Sequence, residues 1–150
     1  MLTLRKANLN DMLQYFYWRN EAIVRKNSFN IQEVSWSEHQ AWFVNRLNDE
    51  NCFLYIGMDK ETYIGQVRFD CQNGLAIIDY SIDKDHRRQG LGKEIVEKAI
   101  FEIKREYLGL SIIKAEVKTD NVASNKLFVK LNFINQHKKR GVQTYLLKLS

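Results

Sequence analysis

The 150-residue chain has no proline, only two cysteines, and no apolar run approaching the length of a membrane span. Each absence removes a class of protein. Without proline, low-complexity tracts or an internal repeat, the sequence offers neither extended linkers nor a solenoid. Cys52 and Cys71 lack the Cys-x-x-Cys spacing of a zinc or redox site, so they are expected to be reduced and buried, and no metal is expected. The N-terminus, Met1-Leu2-Thr3-Leu4-Arg5-Lys6, lacks the apolar core of a signal peptide; a cytoplasmic location and no membrane partner are expected. Acidic residues stop at Asp120, whereas Lys126, Lys130, Lys138, Lys139, Arg140 and Lys148 follow it. That basic stretch is short and has no interleaved aromatic reading face, so a nucleic-acid partner is not expected. A polyanionic small ligand or a solvated surface accounts for it as well.

What remains is 45% hydrophobic and 27% charged with a net charge of +5, the profile of one globular domain spanning residues 1–150. Leu2, Leu4 and Ala7 alternate with polar residues as a first strand, and a helix follows over Asp11 to Asn20. Ser35-Trp36-Ser37-Glu38 is a capping box that opens a second helix to about Leu47. Cys52 to Met58, Tyr63 to Asp70 and Leu75 to Ile82 form a meander, its turns at Asp59 to Thr62 and at Asn73-Gly74. A long amphipathic helix carries Leu91, Ile95, Ala99, Ile103 and Tyr107 four apart and stops at Gly109. A strand from Ser111 to Lys118, a helix from Asn121, and a hairpin of Phe133 to His137 with Val142 to Leu149 complete the chain. This order predicts an α/β (α+β) fold, a mixed sheet of about seven strands flanked by about four helices.

The stretch between the third meander strand and the long helix carries the chemistry. In Arg87-Arg88-Gln89-Gly90-Leu91-Gly92-Lys93, Gly90 and Gly92 allow backbone N–H groups at a helix N-terminus to approach an anion, while Arg87, Arg88 and Lys93 add charged donors. A tight helix-entry turn is the bland alternative. Neither the Walker A nor the dinucleotide fingerprint can be written here.

This stretch resembles the Arg/Gln-x-x-Gly-x-Gly/Ala signature of the Gcn5-related N-acetyltransferase (GNAT) superfamily, met by Arg87, Gly90 and Gly92. A second signature, Asn-x-x-Ser/Ala-x-x-Leu-Tyr-x-x-x-Gly-Phe, is met by Asn121, Ser124, Leu127 and Phe133, with Phe128 at the usual tyrosine and Asn132 at the usual glycine. The element order also matches the GNAT fold from end to end. The resemblance implies acetyl transfer from acetyl-CoA to a primary amine. It implies that backbone near Ile82 to Lys84 grips the pantetheine and that Arg87, Arg88, Gln89, Gly90, Leu91, Gly92 and Lys93 hold the pyrophosphate. Asn121 and Ser124 would reach the pantetheine amides and Lys126 a phosphate. Backbone N–H groups near Tyr80 would polarise the thioester carbonyl where two strands splay. Relatives also form homodimers, although no residue here compels one.

For the base the candidates are Glu116, five residues before Asn121, and Asp79; either could instead be a strand carboxylate paired with a lysine. With Phe128 unable to donate, the thiolate takes its proton from water, Tyr80 or Tyr145, or leaves without one. For the acceptor, Trp18-Arg19-Asn20-Glu21 and Ser35-x-x-Glu38-His39-x-x-Trp42-Phe43 are similar to the pattern of enzymes acting on UDP-linked 4-amino sugars. Arg19, Asn20, His39, Trp42 and Tyr80 are the expected acceptor residues, with core packing as the bland reading of His39 and Trp42. The ribosomal-protein N-terminal acetyltransferases share the Trp-Arg-Asn opening and are the alternative. A non-catalytic acyl-CoA-binding regulator is a third reading.

Overall fold

The computed structural model describes residues 1–149; Ser150, counted above in the domain, lies outside them. Seven strands form one sheet in the order β1-β2-β3-β4-β5-β7-β6. They are β1 (Thr3–Lys6), β2 (Cys52–Asp59), β3 (Thr62–Gln72), β4 (Leu75–Ile82), β5 (Ile112–Lys118), β6 (Ile134–Lys139) and β7 (Val142–Lys148). All neighbours are antiparallel except β4 and β5, which run parallel. The helices are α1 (Met12–Asn20), α2 (Ala22–Asn27), α3 (Trp36–Asn48), α4 (Leu91–Glu106) and α5 (Val122–Lys130). The mixed α/β architecture follows the sequence expectation.

Five helices, against about four expected, reflect α2, which the sequence leaves unmarked. Its N-cap Glu21 is extended and makes no side-chain cap bond, so no capping signal announces it. The turn is instead anchored to its surroundings by its own Arg25, whose guanidinium donates to the carbonyls of Asn20 (3.1 Å) and Ile31 (3.2 Å). The long helix also ends earlier than its apolar spacing suggests. Tyr107 is the extended C-cap of α4, and its hydroxyl accepts the Gly74 N–H at 2.9 Å, tying the helix end to the β3–β4 turn.

Strand alternation gives the sheet two buried faces. One carries Val67, Phe69, Ala76, Ile78, Ile82, Ile113, Ala115, Val117 and Tyr145 against Ile95, Val96, Ala99, Ile100 and Ile103 of α4 and Leu127 and Phe128 of α5. The other packs Leu54 and Ile56 against Tyr15 and Trp18 of α1 and Phe43 of α3. The sheet thus separates an α4/α5 layer from an α1/α3 layer.

Two local devices set the angles of the site. In the Asn73-Gly74 turn both residues have positive φ (51° and 84°), which suits a two-residue hairpin. At the end of α5, Asn132 has φ 68° and its N–H donates to Val129, while the Phe133 N–H donates to Phe128 at 3.0 Å. This is a Schellman motif. Its apolar contact is present too, with the Phe128 and Phe133 rings 5.0 Å apart. Asparagine stands here in place of the expected glycine because it tolerates the left-handed region better than other side chains.

Candidate active site

β4 and β5 pair only at Leu75↔Ile112, Ala76↔Ile113 and Ile77↔Lys114. Beyond that point the strands part, while β4 stays bonded to β3 up to Ile82 and β5 to β7 up to Lys118. The sheet therefore opens as a fork, and the facing backbone groups of the two parted edges are not used by the ladder between them. Continuing the register would set Asp79 opposite Glu116. Alternation places both on the α1/α3 face with Ile77 and Lys114, whereas Tyr80 lies on the α4/α5 face with Ala76 and Ile78.

At the open end of β4 the chain makes a short 3-10 turn, Lys84–His86, and then the glycine loop. Asp83 organises the turn: its carboxylate accepts the Trp18 indole N–H at 2.9 Å and the Asp85 N–H at 3.1 Å, with His86 Nδ1 3.3 Å away. Burial alone would raise its pKa, but these donors and the His86 charge outweigh burial and hold it below the usual carboxylate value.

The two loop glycines serve different purposes. Gly90, the N-cap of α4, has φ 76°, and a Cβ there would meet nothing within 4 Å. It supplies a left-handed backbone facing open space, and it has no side chain to cap the first N–H groups of α4. Gly92 is tight instead: a Cβ would sit 3.1 Å from Leu127 Cδ1, 3.6 Å from the Tyr80 ring and 3.8 Å from Ile82. It lets the start of α4 settle onto α5 and β4. Uncapped N–H groups at the start of a 16-residue helix, next to an open positive-φ glycine, form an anion cradle.

The predicted cofactor residues are not all free to grip a ligand. Arg87 points back to the α1/α3 layer, its guanidinium forming two bonds with the Glu21 carboxylate while Nε donates to the Ile82 carbonyl at 3.1 Å. Arg88 has φ 63°, and among the described residues Gln89, Lys93 and Lys126 make no side-chain hydrogen bond to another element, while Leu91 is apolar. Lys93 pairs only along its own helix with Glu97, at 3.7 Å. Asn121 caps α5, accepting the Ser124 N–H at 3.3 Å, and the Ser124 hydroxyl lies 2.7 Å from the Tyr80 hydroxyl. Lys84 and Ile82 are at the open end of β4, and Lys84 lines a cavity of about 460 Å³ with Trp18, Asn20, Glu21 and Asp83.

On the α1/α3 face, His39 is fully buried. Its Nε2 lies 2.8 Å from the Met12 carbonyl, which can only accept, so Nε2 carries the hydrogen and Nδ1 is free to accept from Arg19 at 3.1 Å. Desolvation, together with the Arg19 charge, lowers its pKa and keeps the ring neutral. Asn20 has a structural role, exchanging two 2.8 Å bonds with the backbone of Val34. Trp42 stacks 4.2 Å below the Arg19 guanidinium and 5.2 Å from that of Arg68. Arg68 pairs with Asp70 at 3.1 Å and approaches Asp79 at 3.8 Å. Arg19 forms no ion pair among the described residues, and burial lowers its pKa.

Residues that sequence reasoning missed belong to this face. Gln66 is 3% exposed and donates from Nε2 to Asp79 (3.1 Å) and Ser81 (3.2 Å), while its buried Oε1 has no partner. A polar residue in the apolar run Tyr63 to Asp70 was the available signal. Asp79, 52% exposed, is thus held by Gln66 and Arg68; among the described residues Glu116 has only Lys114, at 3.9 Å. Both cysteines are free, and burial pushes the thiols up to about 11 for Cys52 and about 12 for Cys71, which makes them poor nucleophiles. Among the described residues no cluster of metal-ligating side chains occurs, and no helix is long and apolar enough to cross a membrane.

A forked parallel strand pair with uncapped helix N–H groups at its open end is compatible with the site that the resemblance implies. The acetyltransferase (GNAT) domain model matches residues 1–134. An uncharacterized N-acetyltransferase, p20 of Bacillus licheniformis, is 31% identical over 140 residues, covering 88% of this chain and 78% of that protein. The chain therefore belongs to the GNAT acetyltransferase family, and its activity is acetyl transfer to an amine nitrogen. Two solved structures share the fold. Spermidine N-acetyltransferase from Vibrio cholerae, in complex with CoA and spermine, has a TM-score of 0.87 at 17% identity, with 98% of this chain and 95% of that one covered. The protein yncA of Salmonella typhimurium, solved with its cofactor acetyl-CoA, has a TM-score of 0.83 at 20% identity, with 100% and 95% covered.

The residues fit acetyl-CoA as the donor. Gly90 and the first turn of α4 suit its pyrophosphate, and the parted edge of β4 suits its amide-bearing arm.

Proposed function

We propose that the protein transfers the acetyl group of acetyl-CoA to the 4-amino group of a UDP-linked amino-deoxysugar. The observation that carries this reading is Arg19. A half-buried guanidinium without a carboxylate is costly to keep, and this one is fixed in place by a neutral histidine below it and an indole at 4.2 Å. It is a ready receptor for an anionic group of the acceptor, whereas the neighbouring Arg68 is already paired with Asp70 and Asp79. A nucleotide sugar brings two phosphates to such a site and a flat base for exposed rings such as Phe29 and Trp36. A polyamine would meet charge repulsion there.

The amine end would lie at the fork between Asp79 and Glu116, either of which can take the proton that nitrogen loses on acylation. Gln66 and Arg68 fix the Asp79 carboxylate, leaving Glu116 the more mobile of the two. Backbone N–H groups on the parted edge of β4 would stabilise the developing oxyanion.

The test is thiol release with UDP-4-amino-sugar, spermidine and N-terminal peptides offered separately. The nucleotide sugar should be turned over, and Arg19→Ala should raise its KM by about ten- to a hundredfold with little change in kcat, since a lost charged hydrogen bond is worth about 1.5–3 kcal/mol. Turnover of peptide or spermidine alone would overturn the reading.

A further inference from the structure

The family signature puts a proton-donating tyrosine where this chain has Phe128, and the ring of Phe128 lies between the phenols of Tyr80 and Tyr145. It meets Tyr80 edge-on at 5.9 Å and stacks with Tyr145 at 6.0 Å, and it is 2% exposed. The two phenols differ in what their protons are free to do. Tyr145 donates to Asn125 Oδ1 at 2.6 Å. The Asn125 amide cannot turn over, because its Nδ2 donates to the carbonyls of Asn121 (2.8 Å) and Lys118 (3.0 Å). Its oxygen can only accept, so the Tyr145 proton is committed.

Tyr80 faces a hydroxyl instead. Its oxygen is 2.7 Å from Ser124 Oγ, and either group can be the donor. With Ser124 donating, the Tyr80 proton is free to point elsewhere. Tyr80 also stands on the part of β4 that has left β5, and its ring is 3.6 Å from the position of a Cβ on Gly92. It therefore lies between the first turn of α4 and the fork, where a thioester arm spanning the two would pass.

We propose that Tyr80 protonates the departing sulfur of coenzyme A, in place of the tyrosine that Phe128 replaces, with Ser124 supporting it. The amine nitrogen forms a bond to the thioester carbon, the C–S bond breaks with its electron pair going to sulfur, and the Tyr80 O–H proton passes to that sulfur. Ser124 donates a hydrogen bond to the transient phenolate. The proton that the amine gives up returns through solvent to the phenolate, so protons balance over the cycle. Burial raises the pKa of Tyr80, which keeps it protonated, and so a donor, at neutral pH.

The test does not depend on the acceptor. Coenzyme A is bound to the protein and its thiol titrated by thiolate ultraviolet absorbance in wild type, Tyr80→Phe, Tyr145→Phe and the double variant Tyr80→Phe/Phe128→Tyr. A donor beside the sulfur stabilises the thiolate, so Tyr80→Phe should raise the bound thiol's pKa by about 1–2 units, the equivalent of one hydrogen bond to a charged group. Tyr145→Phe should leave it unchanged, and the double variant should move it back towards wild type. Ser124→Ala should give a smaller shift in the same direction as Tyr80→Phe. Thermal unfolding with coenzyme A verifies that each variant is folded and loaded. Equal titration of wild type and Tyr80→Phe, or the shift arising from Tyr145→Phe, would overturn the assignment. Failure with every UDP-sugar leaves this result intact, so the two proposals fall separately.

Discussion

Replacing Gly90 by valine separates the cost of a backbone conformation from the loss of a ligand site. A Cβ at this position meets nothing within 4 Å, so the Cβ itself brings no packing clash. The φ of 76° does contribute, because a side chain in the left-handed region costs about 1–2 kcal/mol, and a β-branched one lies at the upper end. For a chain of this size about 1 kcal/mol moves Tm by about 2–4 °C, so the ligand-free variant should melt about 4–8 °C below wild type. The ligand effect is separate. Acetyl-CoA at about a hundred times its Kd stabilises the wild type by about 2.7 kcal/mol, a further shift of about 5–10 °C. In Gly90→Val the branched side chain fills the space that the pyrophosphate needs and turns the uncapped N–H groups of α4 away, so this second shift should vanish at the same cofactor concentration. The assay is thermal unfolding of both proteins with and without acetyl-CoA. A variant with the lowered ligand-free Tm and a full cofactor shift would refute the cradle, because strain would then be the glycine's entire role.

Other parts of the structure give shorter tests. Asn132→Gly relieves a left-handed asparagine in the α5 cap and should raise stability by up to about 1 kcal/mol, read as a higher urea midpoint with an unchanged m-value. Gly65→Ala would drive a Cβ to 2.4 Å from the Ser81 carbonyl on β4, so either strand must move; a loss of about 1–3 kcal/mol is expected, with acetyl transfer falling along with it. Asp11 is almost wholly buried; burial raises its pKa, but the paired Arg5 bonds at 2.8 Å, the Asn8 N–H and the Tyr63 hydroxyl outweigh this and lower it. A depressed carboxylate stabilises the fold above its unfolded pKa of about 4 and loses that contribution as pH falls through the lower folded value. Urea unfolding should thus show wild type losing stability below about pH 4 more steeply than Asp11→Asn.

Most of the fold was legible because its signals are local. The Asn73-Gly74 turn, the Ser35 capping box and the four-residue spacing of Ile95, Ala99 and Ile103 each specify an element without outside help. α2 was not legible, since the contacts that hold it come from Arg25 reaching Asn20 and Ile31, and no cap precedes it. The end of α4 was overrun because Tyr107 continues the apolar spacing while its hydroxyl is taken by Gly74 across the layer. Within the site, the glycines could be read from their motif, but their division of labour could not. Whether a Cβ meets open space or Leu127 depends on where α5 lies. Gln66 stood out as a polar residue in an apolar run, but its importance could not be read, because it comes from Asp79 and Ser81 on a neighbouring strand.

Arg87 shows how a motif position can also tie together the elements around a site. Its guanidinium is fixed to Glu21, the residue between α1 and α2, and to the Ile82 carbonyl at the end of β4. A second tie runs in parallel, from the Trp18 indole on α1 to Asp83, which shapes the turn leading into the loop. Both ties join the layer that carries Arg19 to the segment that forms the anion cradle. Neither is strong alone, as the pair of Arg87 and Glu21 is partly exposed and a surface ion pair is worth about 1 kcal/mol or less. Their effect is geometric: the end of α1 cannot move away from the sheet without pulling on the loop. In the proposed reaction acceptor and donor would meet at the fork, at a distance set by these two contacts, which is where a transfer reaction gains most from rigidity.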